Sequence, residues 1–186
     1  NKLNDKFILI HDVNQSLIAL LSINQDTDIT KKTEKIIYKL IDNILIQKKE
    51  LKSFVLSFFG GEPLMYYKKT SMQIIDYLRS KYNQYPNINF SVNFTSNGYL
   101  VNNDIINHLN MANESNHFQI TLDGGEEYHN KVRDSGKKEG SYHVIVNAIK
   151  LLIKNNIQVL LRINYTSENI HSVSSILNDI NDIHTI

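Results

Sequence analysis

Hydrophobic and polar residues alternate along this chain with two different periods. Short apolar runs of strand character predict five strands, at Phe7–Ile10, Phe54–Phe59, Ile88–Thr95, Phe118–Leu122 and Ile157–Ile163. Apolar residues three and four positions apart predict five helices. The first begins at the N-cap Thr30, the second includes Met72–Arg79, the third spans Asp104–Met111, the fourth spans Ser141–Asn155, and the fifth begins at Ser167 or Glu168. The pattern is therefore a strand followed by a helix, repeated five times.

This strand–helix repeat predicts an α/β fold. Parallel strands joined by helices form a mostly parallel sheet with right-handed crossovers, either as an open sheet or as a partial barrel. The continuous apolar character of the second and fifth runs predicts that the sheet is covered on both faces. No linker rich in Gly or Pro interrupts the chain, so we expect residues 1–186 to form one domain.

Composition and charge narrow the classes of function. The 186 residues hold 20 basic and 19 acidic side chains, a net charge of +1, whereas a general nucleic-acid binder carries a basic surplus. The longest apolar runs, such as Leu17–Leu21, are far shorter than the roughly 18 residues that cross a bilayer. Residues 1–6 lack the basic and apolar regions of a signal peptide. We therefore expect a cytoplasmic protein that binds neither nucleic acid nor membrane.

Polar and conformationally unusual residues concentrate where the predicted strands end. The second run ends in Gly60-Gly61-Glu62-Pro63, and the next three end in Asn97-Gly98, Thr121-Leu122-Asp123-Gly124 and Arg162-Ile163-Asn164. The carboxyl ends of parallel strands meet at one edge of a sheet, which is where ligands bind in such folds. Four such ends therefore favour a binding or catalytic site at one rim.

The same segments, in this order and spacing, resemble the successive signatures of radical S-adenosylmethionine enzymes. The resemblance extends over about residues 7–170 and includes Phe59–Leu64, Thr95–Leu100, Ile120–Gly124 followed by His129-Asn130 and Arg133, and Arg162–Asn164. The most similar subgroup matures peptides and sulfatases and usually has a cysteine-rich C-terminal SPASM extension. The resemblance implies a partial (β/α)6 barrel, of which this chain supplies about five units as a fragment of a longer protein.

The resemblance also implies an iron–sulfur cluster that this chain is unable to hold. In the family, three cysteines spaced Cys-x3-Cys-x2-Cys on the loop after the first strand hold a 4Fe–4S cluster, which binds S-adenosylmethionine and cleaves it to a 5′-deoxyadenosyl radical. The 186 residues contain no cysteine, and the alignment places Gln15, Ala19 and Ser22 at the three positions. Ala19 has no donor atom, and the side chains of Gln15 and Ser22 are hard ligands that do not replace thiolates.

By resemblance, nine residues form a pocket for S-adenosylmethionine. The backbone of Gly60-Gly61 meets its amino group, Thr121 its ribose, and the Arg133 guanidinium its carboxylate. Two roles stay open for Glu62, pairing with the ammonium group or holding the loop, and two for Asp123, contacting a ligand or capping its own turn. The full set is Gly60, Gly61, Glu62, Pro63, Asn97, Thr121, Asp123, Arg133 and Asn164.

Some neighbouring residues have more ordinary interpretations. Asn97-Gly98 is typical of a plain turn, and a loop histidine such as His129 more often orders its neighbours than transfers protons. The run Tyr66–Lys69 is typical of an exposed helix start. Arg162 and Asn164 alternate along a strand, so both are expected to face the barrel interior, where a buried arginine needs an acidic partner.

Three functions are compatible with these residues. The first is a maturase-like radical S-adenosylmethionine domain that modifies a peptide or protein side chain, with its cluster-binding cysteines replaced or removed. The second is a cluster-less pseudoenzyme that keeps the barrel and binds a peptide or another partner. The third is an unrelated enzyme with Glu62 and Asp123 as general acid and base, which only those two carboxylates support.

Overall fold

The computed structural model describes residues 8–13, 16–22, 31–133 and 140–181. Its strands are β1 (Ile8–Val13), β2 (Ser16–Ser22), β3 (Ser53–Phe59), β4 (Asn89–Ser96), β5 (Ser115–Leu122) and β6 (Gln158–Ile163). Its helices are α1 (Lys31–Gln47), α2 (Ser71–Arg79), α3 (Asn103–Leu109), α4 (Glu126–Val132), α5 (Tyr142–Lys154) and α6 (Val173–Asn181), with 3-10 turns at Tyr82–Gln84 and Ile170–Ser172. Among these described helices, none has the length and apolar character needed to span a membrane. The expected α/β fold is confirmed.

Two elements differ from the predicted set. β2 lies in the stretch that the family alignment assigns to the cysteine loop, and the pattern of apolar residues does not predict α4, whose sequence is almost entirely polar. The predicted N-cap Thr30 lies outside the described residues, as does Phe7 at the start of the first predicted strand. The other predicted strands and helices are present, with ends shifted by a few residues.

The chain divides into two compact units that interleave along the sequence. Unit 1 comprises Asn1–Thr95 and Asn107–Asn116, and unit 2 comprises Ser96–Ile106 and His117–Ile186. Each unit contains strands and helices of its own. The expectation of a single domain over residues 1–186 stays a prediction.

The strands of unit 1 begin with a hairpin and continue in parallel. β1 and β2 are antiparallel, and Val13 pairs with Ser16 next to their connection. β2 and β3 are parallel, with Ser22 beside Phe59 at their carboxyl ends, and β3 and β4 are parallel as well. The parallel series of this unit therefore begins at β2, one strand later than the hydrophobic pattern predicts.

This register places two of the expected cysteine-loop positions in a strand. Ala19 pairs with Leu56 inside β2, and Ser22 is the last residue of that strand. Gln15 lies outside the described residues. Two positions that the alignment assigns to a loop, Ala19 and Ser22, therefore lie in a strand, and the alignment of Gln15, Ala19 and Ser22 with the three cysteines stays a prediction. Residues 23–30, which follow β2 in the sequence, lie outside the described residues and contain no cysteine.

Strand parity decides which side chains are buried. In β4 of unit 1, Val92 is buried whereas the next residue, Asn93, is half-buried. In β6 of unit 2, Leu161 is half-buried, but Leu160 is 66% exposed and Arg162 is exposed. The expected cover on both faces is therefore wrong for β6, because alternate residues of a strand point to opposite faces whatever their hydrophobicity.

Aromatic and aliphatic side chains fill the core of each unit. In unit 1 the rings of Phe58 and Phe94 stack with centroids 5.0 Å apart, and α2 contributes the fully buried Ile74, Ile75 and Leu78. In unit 2 the buried side chains of β5 and α5 include Phe118, Ile120, Leu122, Ile145, Ile149 and Leu152. These apolar faces hold the strands, and hence the loops at their ends, in fixed positions.

A side chain from α4 caps the start of α5. Asn130 Oδ1 accepts hydrogen bonds from the backbone N–H groups of Ser141, at 2.9 Å, and Tyr142, at 3.1 Å. These are two of the N–H groups that the start of a helix leaves without intrahelical partners. Gly140 has φ 66, and a Cβ there would lie 2.3 Å from Asn130 Cγ. The His129-Asn130 pair of the sequence motif therefore has a structural task at Asn130.

We expect Asn130→Ala to lower the free energy of unfolding by about 1–2 kcal/mol, because both N–H groups lose their acceptor. Asn130→Asp keeps an acceptor and adds a negative charge near a helix N-terminus, so it is expected to stay close to the wild type. Urea unfolding followed by circular dichroism measures both variants. An Asn130→Ala protein as stable as the wild type would contradict the capping role.

Candidate functional site

Two consecutive glycines turn the chain at the carboxyl end of β3. Gly60 has φ 82 and Gly61 has φ 50, in the left-handed region that glycine adopts at little cost. Glu62, only 7% exposed, accepts a hydrogen bond from the backbone N–H of Leu64 at 3.1 Å through Oε1. Of the two roles left open for Glu62, this contact is the one that holds the loop.

The segment after Glu62 is packed into unit 1. The Pro63 carbonyl accepts a hydrogen bond from Ser71 Oγ at 3.4 Å. Tyr67 is 4% exposed, its ring lies 5.9 Å from that of Phe94, and its hydroxyl lies 2.7 Å from His108 Nδ1. The expected exposed helix start is therefore wrong at Tyr67, because an aromatic ring gains more from burial than the neighbouring lysines do.

Asn97 and Gly98 form a turn after β4. Asn97 Oδ1 accepts the backbone N–H of Tyr99 at 2.9 Å, which is the hydrogen bond of an Asx-turn. The N–H of Gly98 donates to Ser96 Oγ at 3.0 Å, and φ of Gly98 is 79. The interpretation of Asn97-Gly98 as a turn is confirmed, while a contact of Asn97 with a cofactor stays a prediction.

Thr121 and Arg162 are neighbours across the parallel pair of β5 and β6. Thr121 is half-buried between fully buried neighbours, and Arg162 is exposed. The expected buried arginine with an acidic partner is therefore wrong, since solvent surrounds much of the Arg162 side chain. The ribose contact expected of Thr121 stays a prediction.

Asp123 joins four segments of unit 2 at the carboxyl end of β5. Its Oδ1 accepts a hydrogen bond from Asn164 Nδ2 at 2.7 Å, and its Oδ2 accepts one from Arg133 Nε. Its backbone N–H donates to His129 Nδ1 at 3.2 Å, and its carbonyl accepts from Asn169 Nδ2 at 3.0 Å. The carboxylate therefore pairs with distant side chains instead of capping its own turn.

This arrangement keeps Asp123 ionised. Burial alone would raise the pKa of Asp123, but the hydrogen bonds from Arg133 and Asn164, together with the guanidinium charge, outweigh burial and lower the pKa below the usual aspartate value. The Arg133 side chain is 36% exposed and that of Asp123 is 12% exposed. A carboxylate with a lowered pKa and two donors is unsuited to act as a general base at neutral pH.

His129 is buried and neutral. Its Nδ1 accepts the N–H of Asp123, so Nε2 carries the proton and donates to Ser141 Oγ at 3.0 Å. Burial, followed by the positive charge of Arg133, lowers the pKa of His129, although the Asp123 carboxylate opposes this shift. The expectation that this histidine orders its neighbours is confirmed, since both ring nitrogens are used inside the unit.

The predicted residues are thus brought together in part. Asp123, Arg133 and Asn164 form one connected cluster in unit 2, and the sequence analysis missed Asn169, which supports this cluster through the Asn164 carbonyl at 3.1 Å. No composition or spacing signal marks Asn169. The glycine turn at residues 60–61 belongs to unit 1, so a single rim formed by all the predicted residues stays a prediction.

A separate cavity of about 460 Å³ opens in unit 2 between the starts of α4 and α6. Its walls include the acidic residues Glu126, Glu127 and Glu168, with Lys131 and Asn169. None of the nine residues of the expected pocket for S-adenosylmethionine lines it. Within the described ranges, no group of three or more His, Asp or Glu side chains is arranged to hold a metal ion.

The lowered pKa values of His129 and Asp123 predict loss of stability in acid. Folding lowers the pKa of His129 below its unfolded value of 6.5. The neutral ring therefore stabilises the folded protein at pH values above 6.5, and this stabilisation is lost as the pH falls through the folded pKa. The lowered pKa of Asp123 adds a second loss of stability at pH values below its unfolded pKa of 3.8. Thermal unfolding at pH 7.5 and 5.5 tests the first effect.

We expect His129→Gln to be less stable than the wild type at pH 7.5, with a difference that shrinks at pH 5.5. His143→Gln is the matched control, because the His143 side chain is 65% exposed and contacts only Glu126 among the described charged groups. A constant difference between wild type and His129→Gln at the two pH values would contradict a neutral, buried His129.

Comparisons with known proteins identify the fold and the family. The sequence model of the Radical SAM superfamily matches residues 22–180, and a search of curated proteins found no match. The solved structure of native anSMEcpe with bound AdoMet superposes with a TM-score of 0.66 at 16% identity, over 80% of this chain and 40% of that chain. The structure of native anSMEcpe with bound AdoMet and Cp18Cys peptide superposes with a TM-score of 0.66 at 17% identity, over 79% of this chain and 40% of that chain. This chain thus spans less than half of those structures, and the family match shows that it belongs to the Radical SAM superfamily.

Proposed function

We propose that this chain is a domain that binds S-adenosylmethionine and a peptide without performing the radical step by itself. The observation that carries the proposal is a sequence with the family's glycine turn and arginine but without a single cysteine among 186 residues. Two of the similar structures hold AdoMet together with a peptide, which supports both ligand classes. The family's cluster does not fit these residues, so no step of the proposed function passes through it.

The glycine turn suits the amino acid part of S-adenosylmethionine. Gly60 and Gly61, both with positive φ, follow a parallel strand, where the backbone can approach a ligand closely. Glu62 fixes the turn through the N–H of Leu64. The turn is therefore held in place before the ligand arrives, which reduces the ordering that binding requires.

Arg133 suits a carboxylate group, such as that of S-adenosylmethionine. Its Nε is bonded to Asp123, which orients the planar guanidinium, and a carboxylate ligand would bind the pair of terminal nitrogens. With 36% of its side chain exposed, Arg133 is within reach of solvent. In this proposal Asp123 and Asn164 are positioning residues, and Arg133 makes the contact.

We expect the iron-free wild-type protein to bind S-adenosylmethionine in isothermal titration calorimetry. Arg133→Gln should weaken the affinity by about tenfold or more, because a charge-assisted hydrogen bond contributes roughly 1.5–3 kcal/mol. Lys131→Gln, an exposed cation two residues earlier, is the matched control and should bind like the wild type. Thermal melts confirm that each variant is folded. Absence of binding by the wild type would contradict the proposal.

Anaerobic reconstitution with iron and sulfide separates this proposal from a maturase. Thiolates are the ligands that hold such clusters, so we expect neither the visible absorption nor the EPR signal of a reduced 4Fe–4S cluster in this chain. Introduction of three cysteines, spaced as in the family, within residues 23–30 provides a positive comparison. A complete cluster in the unaltered chain would instead favour the maturase-like radical enzyme.

A further inference from the structure

The turn after β4 contains the one Asn-Gly pair of the sequence, Asn97-Gly98. Such a pair is open to spontaneous deamidation, because glycine has no side chain to hinder attack by its backbone nitrogen. In this reaction the Gly98 nitrogen bonds to Asn97 Cγ, the bond from Cγ to Nδ2 breaks, and the proton of the Gly98 N–H leaves with the departing group as ammonia. Water then opens the cyclic imide to aspartate or isoaspartate, so the reaction consumes water and needs no cofactor.

Hydrogen bonds engage both reacting groups of this turn. The N–H of Gly98 donates to Ser96 Oγ at 3.0 Å, which favours the protonated amide over the form that attacks. Asn97 Oδ1 accepts the N–H of Tyr99 at 2.9 Å, so the side-chain amide is held as well. Ser96 is only 5% exposed, and water therefore competes little for its hydroxyl. The folded turn keeps nucleophile and electrophile in separate contacts.

Packing restricts the movement that ring closure requires. Gly98 is buried with φ 79, and a Cβ added there would lie 3.2 Å from Ile120 Cγ2 and 3.3 Å from Ile145 Cγ2. Both isoleucines belong to the core of unit 2, at 0% and 1% exposure. Because a packed core leaves little room for rotation, we expect the Gly98 nitrogen to reach Asn97 Cγ only after the turn opens.

We propose that Asn97 is a site of spontaneous deamidation in this chain, and that the Ser96 hydroxyl controls its rate. Reaction from the open turn follows the equilibrium between closed and open forms, and each hydrogen bond of the closed form shifts that equilibrium. Ser96 is a positioning residue because it acts on the nitrogen of Gly98. The product carries a new negative charge at the carboxyl end of β4, and in its isoaspartate form a main chain longer by one carbon.

A comparison of folded and unfolded wild-type protein tests the proposal without any variant or ligand. Samples are kept at pH 7.5 in buffer and in concentrated guanidinium chloride, and peptide mass spectrometry follows aspartate and isoaspartate at position 97. We expect deamidation in the folded protein to be slower by at least about tenfold, because the turn reacts only when it is open. The outcome does not depend on the proposed function.

Substitution of Ser96 tests its control of the rate. In Ser96→Ala we expect the ratio of the folded rate to the unfolded rate to rise about three- to tenfold, the effect of one hydrogen bond. Ser96→Cys keeps the shape of the side chain but accepts hydrogen bonds only weakly, so its ratio should rise as well. Division by the unfolded rate of the same variant removes the effect of the neighbouring side chain on the intrinsic chemistry.

Ser57→Ala is the matched control. Ser57 is also a buried strand serine, 8% exposed, but it lies in β3 of unit 1, so its loss should leave the ratio at the wild-type value. Thermal melts confirm that each variant is folded.

Two results would overturn the proposal. One is a folded wild-type protein that deamidates at Asn97 as fast as, or faster than, the unfolded chain. The other is a ratio in Ser96→Ala or Ser96→Cys equal to that of the wild type. The first result needs no substitution, and the cysteine variant decides the role of Ser96 even where the alanine variant fails to fold.

Discussion

A carboxylate taken out of water has to be paired, and the loops of unit 2 are organised around this requirement at Asp123. The Asp123 side chain is 12% exposed and its two carboxylate oxygens accept hydrogen bonds from Arg133 and Asn164, so removal of either partner leaves a largely buried charge incompletely satisfied. Arg133 comes from the end of α4 and Asn164 from the end of β6. Through this pairing, residues far apart in sequence acquire fixed positions at the carboxyl ends of two strands.

In unit 1, hydrogen bonds of buried polar side chains likewise hold the turn after β3. There the polar side chains of Glu62 and Tyr67 bond to the backbone and to His108, and the Arg79–Glu114 pair supports the neighbouring helices. In both units, residues of the family signatures hold loops in place. These residues therefore stabilise the strand ends in a sequence of 186 residues that contains no cysteine.

The sequence predicts much of the fold because period-two and period-3.6 patterns report which residues are buried. It fails at β2, where the family alignment assigns a continuous apolar run to a loop, and at α4, whose polar sequence carries no periodic signal. It fails at Leu160 and Arg162 because strand parity, not hydrophobicity, decides which face each side chain occupies. For the site, the motif identifies Asp123 and Arg133, but their mutual pairing and the support from Asn169 depend on contacts over 10 and 46 positions, which one sequence does not encode in any local pattern.

The central claim is that the family's nucleoside ligand still binds at the glycine turn of a chain without a cluster. Glycine-selective 15N labelling followed by NMR tests it most directly, because the chain has only seven glycines. On titration of the iron-free protein with S-adenosylmethionine, the amide signals of Gly60 and Gly61 should shift, and that of Gly140, which lies against Asn130 at the start of α5, should not. Unchanged signals of Gly60 and Gly61 at high ligand concentration would contradict the account.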